Sequence, residues 1–274
     1  MIEFQEVSLQ FKHFQMKNIS LTIPKGYVIG CIGRNGSGKT TFIKTMMDLY
    51  RPTTGQVLWN GALLDQQQKE KIGFVYDDFH HWKNTKLKTV RKLYERAYPT
   101  WQPQLYTQLL DTYGLNERQA IHQLSKGTRM KAQIALALAH EPDVLIMDEP
   151  TSGLDPVFRR TFIHQLRDWM AAREDRTLLF STHITSDLEQ FADYILCIDQ
   201  GNVRFFLPTD ELEERFVLVK GPVDAVRALG VPMESRNNQA TALIDRTVTA
   251  IPENVYIERA RLEDILYFLT EVSE

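Results

Sequence analysis

The run Gly33-Arg34-Asn35-Gly36-Ser37-Gly38-Lys39-Thr40 constrains this chain more than any other feature. Three glycines within six positions let a backbone turn through positive φ and present its N–H groups at close range, and a cation and a hydroxyl follow at once. The apolar run Tyr27 to Ile32 precedes the loop and reads as a buried strand. After it, Phe42, Ile43, Met46, Met47 and Tyr50 recur at helical spacing and predict a helix that opens at Lys39 and runs to Tyr50. Strand, glycine-rich turn and helix in that order make a cradle for a polyphosphate, because loop amides and the positive end of the helix dipole face one point. Gly33, Asn35, Gly36, Ser37, Gly38, Lys39, Thr40 and Thr41 are the expected phosphate-binding positions, with Lys39 against β- and γ-oxygens and Thr40 as a ligand to Mg²⁺.

A second run, Asp143-Val144-Leu145-Ile146-Met147-Asp148-Glu149-Pro150, is an apolar stretch that ends in two carboxylates. A central parallel strand delivers acidic groups to a ligand at its carboxyl edge in this way. Asp148 suits Mg²⁺ through its water shell, and Glu149 suits a general base that polarises an attacking water. An acidic turn after a core strand is common by itself. Behind a phosphate loop it implies phosphoryl chemistry.

Just before that strand, Leu124-Ser125-Lys126-Gly127-Thr128 is similar to the L-S-G-G-Q signature of ABC-transporter ATPases. Ser152-Gly153-Leu154-Asp155 resembles the loop of that family that crosses the dimer interface, and Ser181-Thr182-His183 resembles its switch histidine. These motifs span about Phe11 to Gly201 in the family's order. The resemblance implies an ATPase using ATP and Mg²⁺, with Glu149 and His183 catalytic and Thr40 and Asp148 at the metal. It also implies a shared site: Ser125 caps a helix whose N-terminal amides, with Gly127, bind the γ-phosphate held by a second ATPase subunit. A homodimer is expected, with a heterodimer as the alternative.

Two departures from the family pattern matter. Lys126 and Thr128 replace Gly and Gln, a form that resembles exporter ATPases of the bacitracin-resistance and multidrug type; Lys126 either favours the anionic phosphate or is a solvated cation. After the strand Lys71 to Tyr76, Asp77 stands where the family places a Gln that touches metal and water. Aspartate is shorter and cannot donate a hydrogen bond at neutral pH, yet it can bind Mg²⁺ through water, so Asp77 is an expected catalytic-site residue. For adenine the family stacks an aromatic ring about thirty residues before the lysine. Phe11 is the matching position and Phe14 the substitute, and stacking supplies affinity without base selectivity.

The rest of the chain bounds the reading. The 274 residues carry a formal charge of −3 without a long basic block, which gives no reason to expect nucleic acid as a partner. Cys31 and Cys197 lie in apolar runs away from any metal-ligand spacing and are expected to be buried thiols of a cytoplasmic protein. Without an apolar run near the ~20 residues that span a bilayer, a transporter component of this kind needs a separate transmembrane permease, and the expected location is peripheral, on the inner face of the membrane. A soluble ABC-type ATPase not coupled to a permease is the alternative. The expected fold is α/β: a P-loop ABC-type domain over 1–214 with a parallel core sheet, an antiparallel β subdomain and a helical subdomain at about 83–140. A small α+β appendage over 215–274 follows, with a strand at 217–220, a short helix at 224–229, a strand at 240–244 and a last helix at 262–269.

Overall fold

The structure is a computed structural model that describes residues 1–76, 79, 82–189, 191–249, 251–252 and 255–272. Asp77 lies outside the described residues, as do His80 and His81 of the segment after it. The chain begins with β1 (Ile2–Gln10) and β2 (Gln15–Ile23), an antiparallel pair, before β3 (Val28–Ile32) leads into α1 (Lys39–Met46). Next come β4 (Thr54–Trp59), the single turn α2 (Gln66–Lys69) and β5 (Ile72–Val75). Three helices follow: α3 (Leu87–Ala97), α4 (Pro103–Tyr113) and α5 (Lys126–Leu138). The strands β6 (Val144–Asp148) and β7 (Thr177–Ser181) flank α6 (Pro156–Ala171), and β8 (Tyr194–Asp199) turns into β9 (Asn202–Pro208).

The main sheet has the order β5-β6-β7-β3-β8-β9, parallel except for β9 at its edge. Every residue of β3 and β7 is buried, as a parallel strand covered on both faces requires. A separate three-stranded antiparallel sheet, β2-β1-β4, packs its apolar side with α1: Phe4 stacks on Phe42 at 4.3 Å, and both belong to one core with Ile29, Ile146 and Leu179. The helical layer buries Leu87, Val90, Tyr106, Leu109 and Tyr113 together with Met130 and Ile134 of α5. Gly114, at φ 64, closes α4 in the left-handed region, where glycine carries no side-chain penalty.

The largest departure from the expected boundaries is at the end of α1, while the short helix expected at 224–229 runs over Val223–Arg227 and the strand expected at 217–220 over Phe216–Pro222. Helix α1 stops at Met46, four residues short of Tyr50. Asp48 takes φ 56, and the amides of Asp48 and Leu49 donate to the carbonyls of Thr45 and Lys44. This back-folded pair satisfies the last helical carbonyls, so the apolar spacing continues past the point where the helix ends.

Beyond β9, α7 (Thr209–Arg215) leads into β10 (Phe216–Pro222), α8 (Val223–Arg227), β11 (Met233–Arg236), β12 (Gln239–Asp245), β13 (Tyr256–Arg259) and α9 (Leu262–Thr270). Their sheet is antiparallel, in the order β11-β12-β10-β13. One face of β10 and β12 packs with Val226 in a small core of its own. The other side is continuous with the main core through Phe216, Leu218, Leu262, Ile265 and Phe268. Burial of Leu262, Ile265 and Phe268, at about 1.5–3 kcal/mol each, fixes α9 against the body of the protein.

Candidate nucleotide site

The phosphate loop joins the end of β3 to α1, and close approach dictates its glycines. At Gly33 a Cβ would lie 2.1 Å from the Ile198 carbonyl oxygen, and at Gly38, with φ 111, it would meet the Phe14 ring at 2.6 Å. Gly36, at φ 80, faces open space. The loop is braced from behind: Gly201 donates its amide to the Ser37 carbonyl at 2.8 Å, which ties the β8–β9 turn to the cradle. Gly38 offers no side-chain cap to α1, so the first-turn amides are left for an anion. The cleft in front of them, about 400 Å³, is lined by Phe14, Arg34, Asn35, Gly36, Thr41 and Glu149 among others.

Lys39 is buried and its ammonium lies within the loop. Its Nζ donates to the carbonyls of Gly33 at 2.7 Å and Arg34 at 3.2 Å, and stands 3.5 Å from Glu149 Oε1. Thr40 Oγ1 donates to Asp148 Oδ2, and Ser181 Oγ donates to Asp148 Oδ1, both at 2.6 Å. Strands β6 and β7 run in register to their ends, with Asp148 opposite Ser181, so the contact between those two follows from the sheet pairing. Glu149, one residue past β6, takes φ 52 and is held there by its amide, which donates to the Ser181 hydroxyl at 3.0 Å. Its Oε2 meets His183 Nδ1 at 2.7 Å. The expected catalytic pair Glu149 and His183 and the expected metal pair Thr40 and Asp148 are therefore gathered at adjacent strand ends. In the sequence Ser181 stands out only as part of the Ser181-Thr182-His183 tripeptide, and the structure makes it the link between the two pairs, since its hydroxyl donates to Asp148 and accepts the Glu149 amide.

A hydroxyl beside a carboxylate is a hard oxygen set that fits Mg²⁺, which binds through one or two protein groups and retains waters. Among the described residues no group of three or more His, Cys, Asp or Glu is arranged to hold a metal ion by itself.

Ser125 and Gly127 lie elsewhere, on the first turn of α5. Ser125 Oγ accepts from the Thr128 amide at 3.1 Å, the expected cap. Gly127 approaches the Gly153 carbonyl so closely that a Cβ would sit 2.8 Å from it, and Lys126 Nζ donates to Ser152 Oγ at 3.0 Å. The signature turn and the Ser152 loop thus form one surface of the subunit. Asp155 caps α6 by accepting from the Phe158 amide at 2.8 Å.

Comparisons with known proteins agree with the fold. A profile described as "ABC transporter" matches residues 16–152, and a lantibiotic transport ATP-binding protein, SrtF of Streptococcus pyogenes, is 31% identical over 228 residues, covering 79% of this chain and 96% of that protein. The chain belongs to the ABC transporter ATP-binding family. Bacitracin transport ATP-binding protein BcrA of Bacillus licheniformis is 30% identical over 206 residues, covering 72% of this chain and 66% of its own length. The ATP-binding cassette MJ0796, solved as a dimer in a post-hydrolysis state with ADP and Pi, shares the fold at a TM-score of 0.63 and 24% identity, over 76% of this chain and 99% of that one. The protein is thus an ABC-type ATPase. Its two cysteines are buried, and burial pushes the Cys31 thiol well above its usual range and Cys197 up to about 12, so neither supplies a nucleophile.

The two aromatic candidates for adenine occupy different places. Phe14 lines the phosphate cleft and packs over Gly38, whereas Phe11 makes an edge contact with Tyr50 at 5.3 Å and lies 6.4 Å from Phe14. Both rings are within reach of one nucleotide, with Phe14 nearer the phosphates. Since base stacking contributes about 1–3 kcal/mol, Phe11→Ala is expected to weaken ATP binding about 5- to 150-fold and to leave the ratio of ATP to GTP affinity unchanged. Phe14→Ala is expected to weaken every nucleotide, including ADP, by loosening Gly38. Titration of both variants with ATP, GTP and ADP checks the division; an ATP affinity in Phe11→Ala equal to the parent's would transfer the stacking role to Phe14.

Proposed function

We propose that this ATPase closes in pairs on ATP and powers a separate membrane permease of the export type. The observation that carries the paired site is the place of Ser125 and Gly127. They sit at the capped N-terminus of α5, on a surface shared with the Ser152 loop, apart from the residues that line the cleft of their own chain. A helix N-terminus there fits the γ-phosphate of a second subunit, with Lys126 held by Ser152 beside it. Within one site the Gly33–Thr41 loop holds the phosphates, Thr40 and Asp148 hold Mg²⁺, Glu149 polarises the water and His183 steadies it. Mg²⁺ supplies Lewis-acid polarisation of phosphoryl oxygens when bound. The names of SrtF and BcrA, lantibiotic and bacitracin transport ATP-binding proteins, support coupling to a transporter.

No described helix is long and apolar enough to cross a membrane. Residence at the inner face of the membrane would then depend on contact with the permease. The segment after β5 is the proposed contact: Phe79 is buried and fixes the backbone by accepting the Trp82 amide at 3.0 Å, while Trp82 is 37% exposed. An exposed tryptophan on a backbone anchored from below suits a groove for a partner helix. We place the division between the ATPase domain, 1–214, and the appendage, 215–274, at the end of α7, where the second sheet begins.

Co-expression with a candidate export permease, a polytopic membrane protein, tests the reading. The wild-type chain is expected to co-purify with that protein from detergent-solubilised membranes and to hydrolyse ATP faster with it than alone. Trp82→Ala is expected to fold and hydrolyse ATP alone yet lose at least about ten-fold in co-purification, a loss typical of an interface anchor. Recovery of the wild-type chain only in soluble fractions would sink permease coupling, and unfolding of Trp82→Ala would assign the residue to the core.

A further inference from the structure

The loop residue Arg34 has two faces. Its backbone is fixed in the cradle, because its carbonyl accepts from Lys39 Nζ at 3.2 Å and from the Ser37 amide at 3.1 Å. Its guanidinium points the other way: Nε pairs with Glu271 Oε1 at 2.9 Å, and Nη1 donates to the Thr270 carbonyl at 3.4 Å. Both acceptors belong to the C-terminal end of α9. The opposite end of that helix is tied to the segment after the switch histidine, with the Leu262 amide donating to Glu189 Oε1 at 3.1 Å. Contacts therefore close a ring: α9 to Arg34, Arg34 to Lys39, Lys39 to Glu149, Glu149 to His183, and from the turn after His183 back to α9.

Arg34 also lines both the phosphate cleft and a groove of about 450 Å³ between His183 and α9. It is the wall between them. The Arg34 and Glu271 side chains are 52% and 43% exposed, so the pair is weakly held and can open without unfolding anything. A polyphosphate carries more charge than one carboxylate, and a guanidinium matches phosphate oxygens two at a time.

We propose that Arg34 is shared between the polyphosphate of bound ATP and the last turn of α9, so that nucleotide binding and docking of that turn compete. The inference rests on the reading of the cleft as the ATP site. Arg34 is then a binding residue, and Glu271 a positioning residue that acts through it. By reciprocity, the factor by which Glu271 weakens ATP binding is the factor by which ATP loosens the α9 terminus. The appendage thereby receives a signal from the nucleotide.

The test is a double-mutant cycle read with a non-hydrolysable ATP analogue. Glu271→Gln keeps the shape and removes the competing charge, and is expected to tighten analogue binding about two- to fivefold, the range of an exposed ion pair. The gain should shrink towards nothing in 1 M salt. In an Arg34→Gln background, Glu271→Gln should change nothing. Amide hydrogen exchange over 266–271 should accelerate on adding the analogue to the wild-type chain, but not to Arg34→Gln. An unchanged dissociation constant in Glu271→Gln, or an equal gain in the Arg34→Gln background, overturns the proposal. A wild-type chain that binds no analogue at all sinks the reading of the cleft and this proposal with it.

Discussion

Glu149→Gln is expected to stop turnover while leaving ATP bound. The amide occupies the same volume and accepts the same strained backbone, since Glu149 is fixed at φ 52 by the Ser181 hydroxyl and carbonyl rather than by its own side chain. What disappears is the base, and loss of general-base assistance costs about 10²- to 10⁴-fold in rate. Binding should not fall, because Lys39 Nζ, now 3.5 Å from a carboxylate oxygen, loses a competing anion and is freer to meet phosphate. ATP-loaded pairs then accumulate. Size-exclusion chromatography of Glu149→Gln with ATP and Mg²⁺ should show a dimer that reverts to monomer when ATP is removed. A monomeric profile under saturating ATP would count against the shared site, and residual hydrolysis within a few-fold of the parent would remove Glu149 from the role of base.

Lys39→Ala is expected to have the largest effect on binding. The ammonium is buried, and it reaches the carbonyls of Gly33 and Arg34 and the Glu149 carboxylate together. Those carbonyls form the floor of the cradle, so the cation holds the loop in shape as well as meeting the ligand. Hydrogen bonds to charged groups contribute about 1.5–3 kcal/mol, and each 1.4 kcal/mol is tenfold in affinity. Loss of Lys39 should therefore raise the dissociation constant for ATP by about ten- to a hundred-fold. Calorimetric titration measures it, with circular dichroism confirming that the variant is folded. An affinity within twofold of the parent would mean that the loop amides carry the phosphate alone.

Much of this site was legible in the sequence because its parts are local. The glycine spacing of Gly33, Gly36 and Gly38, the carboxylates at the end of an apolar run and the serine three residues before Thr128 each obey rules that act within a few residues: positive φ, strand termination and helix capping. The α/β architecture followed from the same sources. Periodicity failed where it had no stop signal. The apolar spacing ran on to Tyr50, and only the left-handed Asp48 ended α1. Strands β11 and β13 carried no signal to find, because Glu234, Ser235, Arg236 and all four residues of Tyr256–Arg259 are exposed and owe their extended form to hydrogen bonds from β12 and β10. Asp77, where the family pattern has Gln, lies outside the described residues.

By itself the sequence determined the family, the order of the motifs and the chemistry of the groups, since residue types at short spacing fix what a loop can bind. Tertiary structure decided which of those groups meet. Asp148 meets Ser181 because β6 and β7 end in register and meets Thr40 because α1 packs against β6, and Phe14 rather than Phe11 packs on Gly38 because the β1–β2 turn folds over the loop. The contact of Arg34 with Thr270 spans 236 residues. No local rule encodes it: a weak, half-exposed interaction of that kind exists only because burial of Leu262, Ile265 and Phe268 sets the end of α9 beside the phosphate loop.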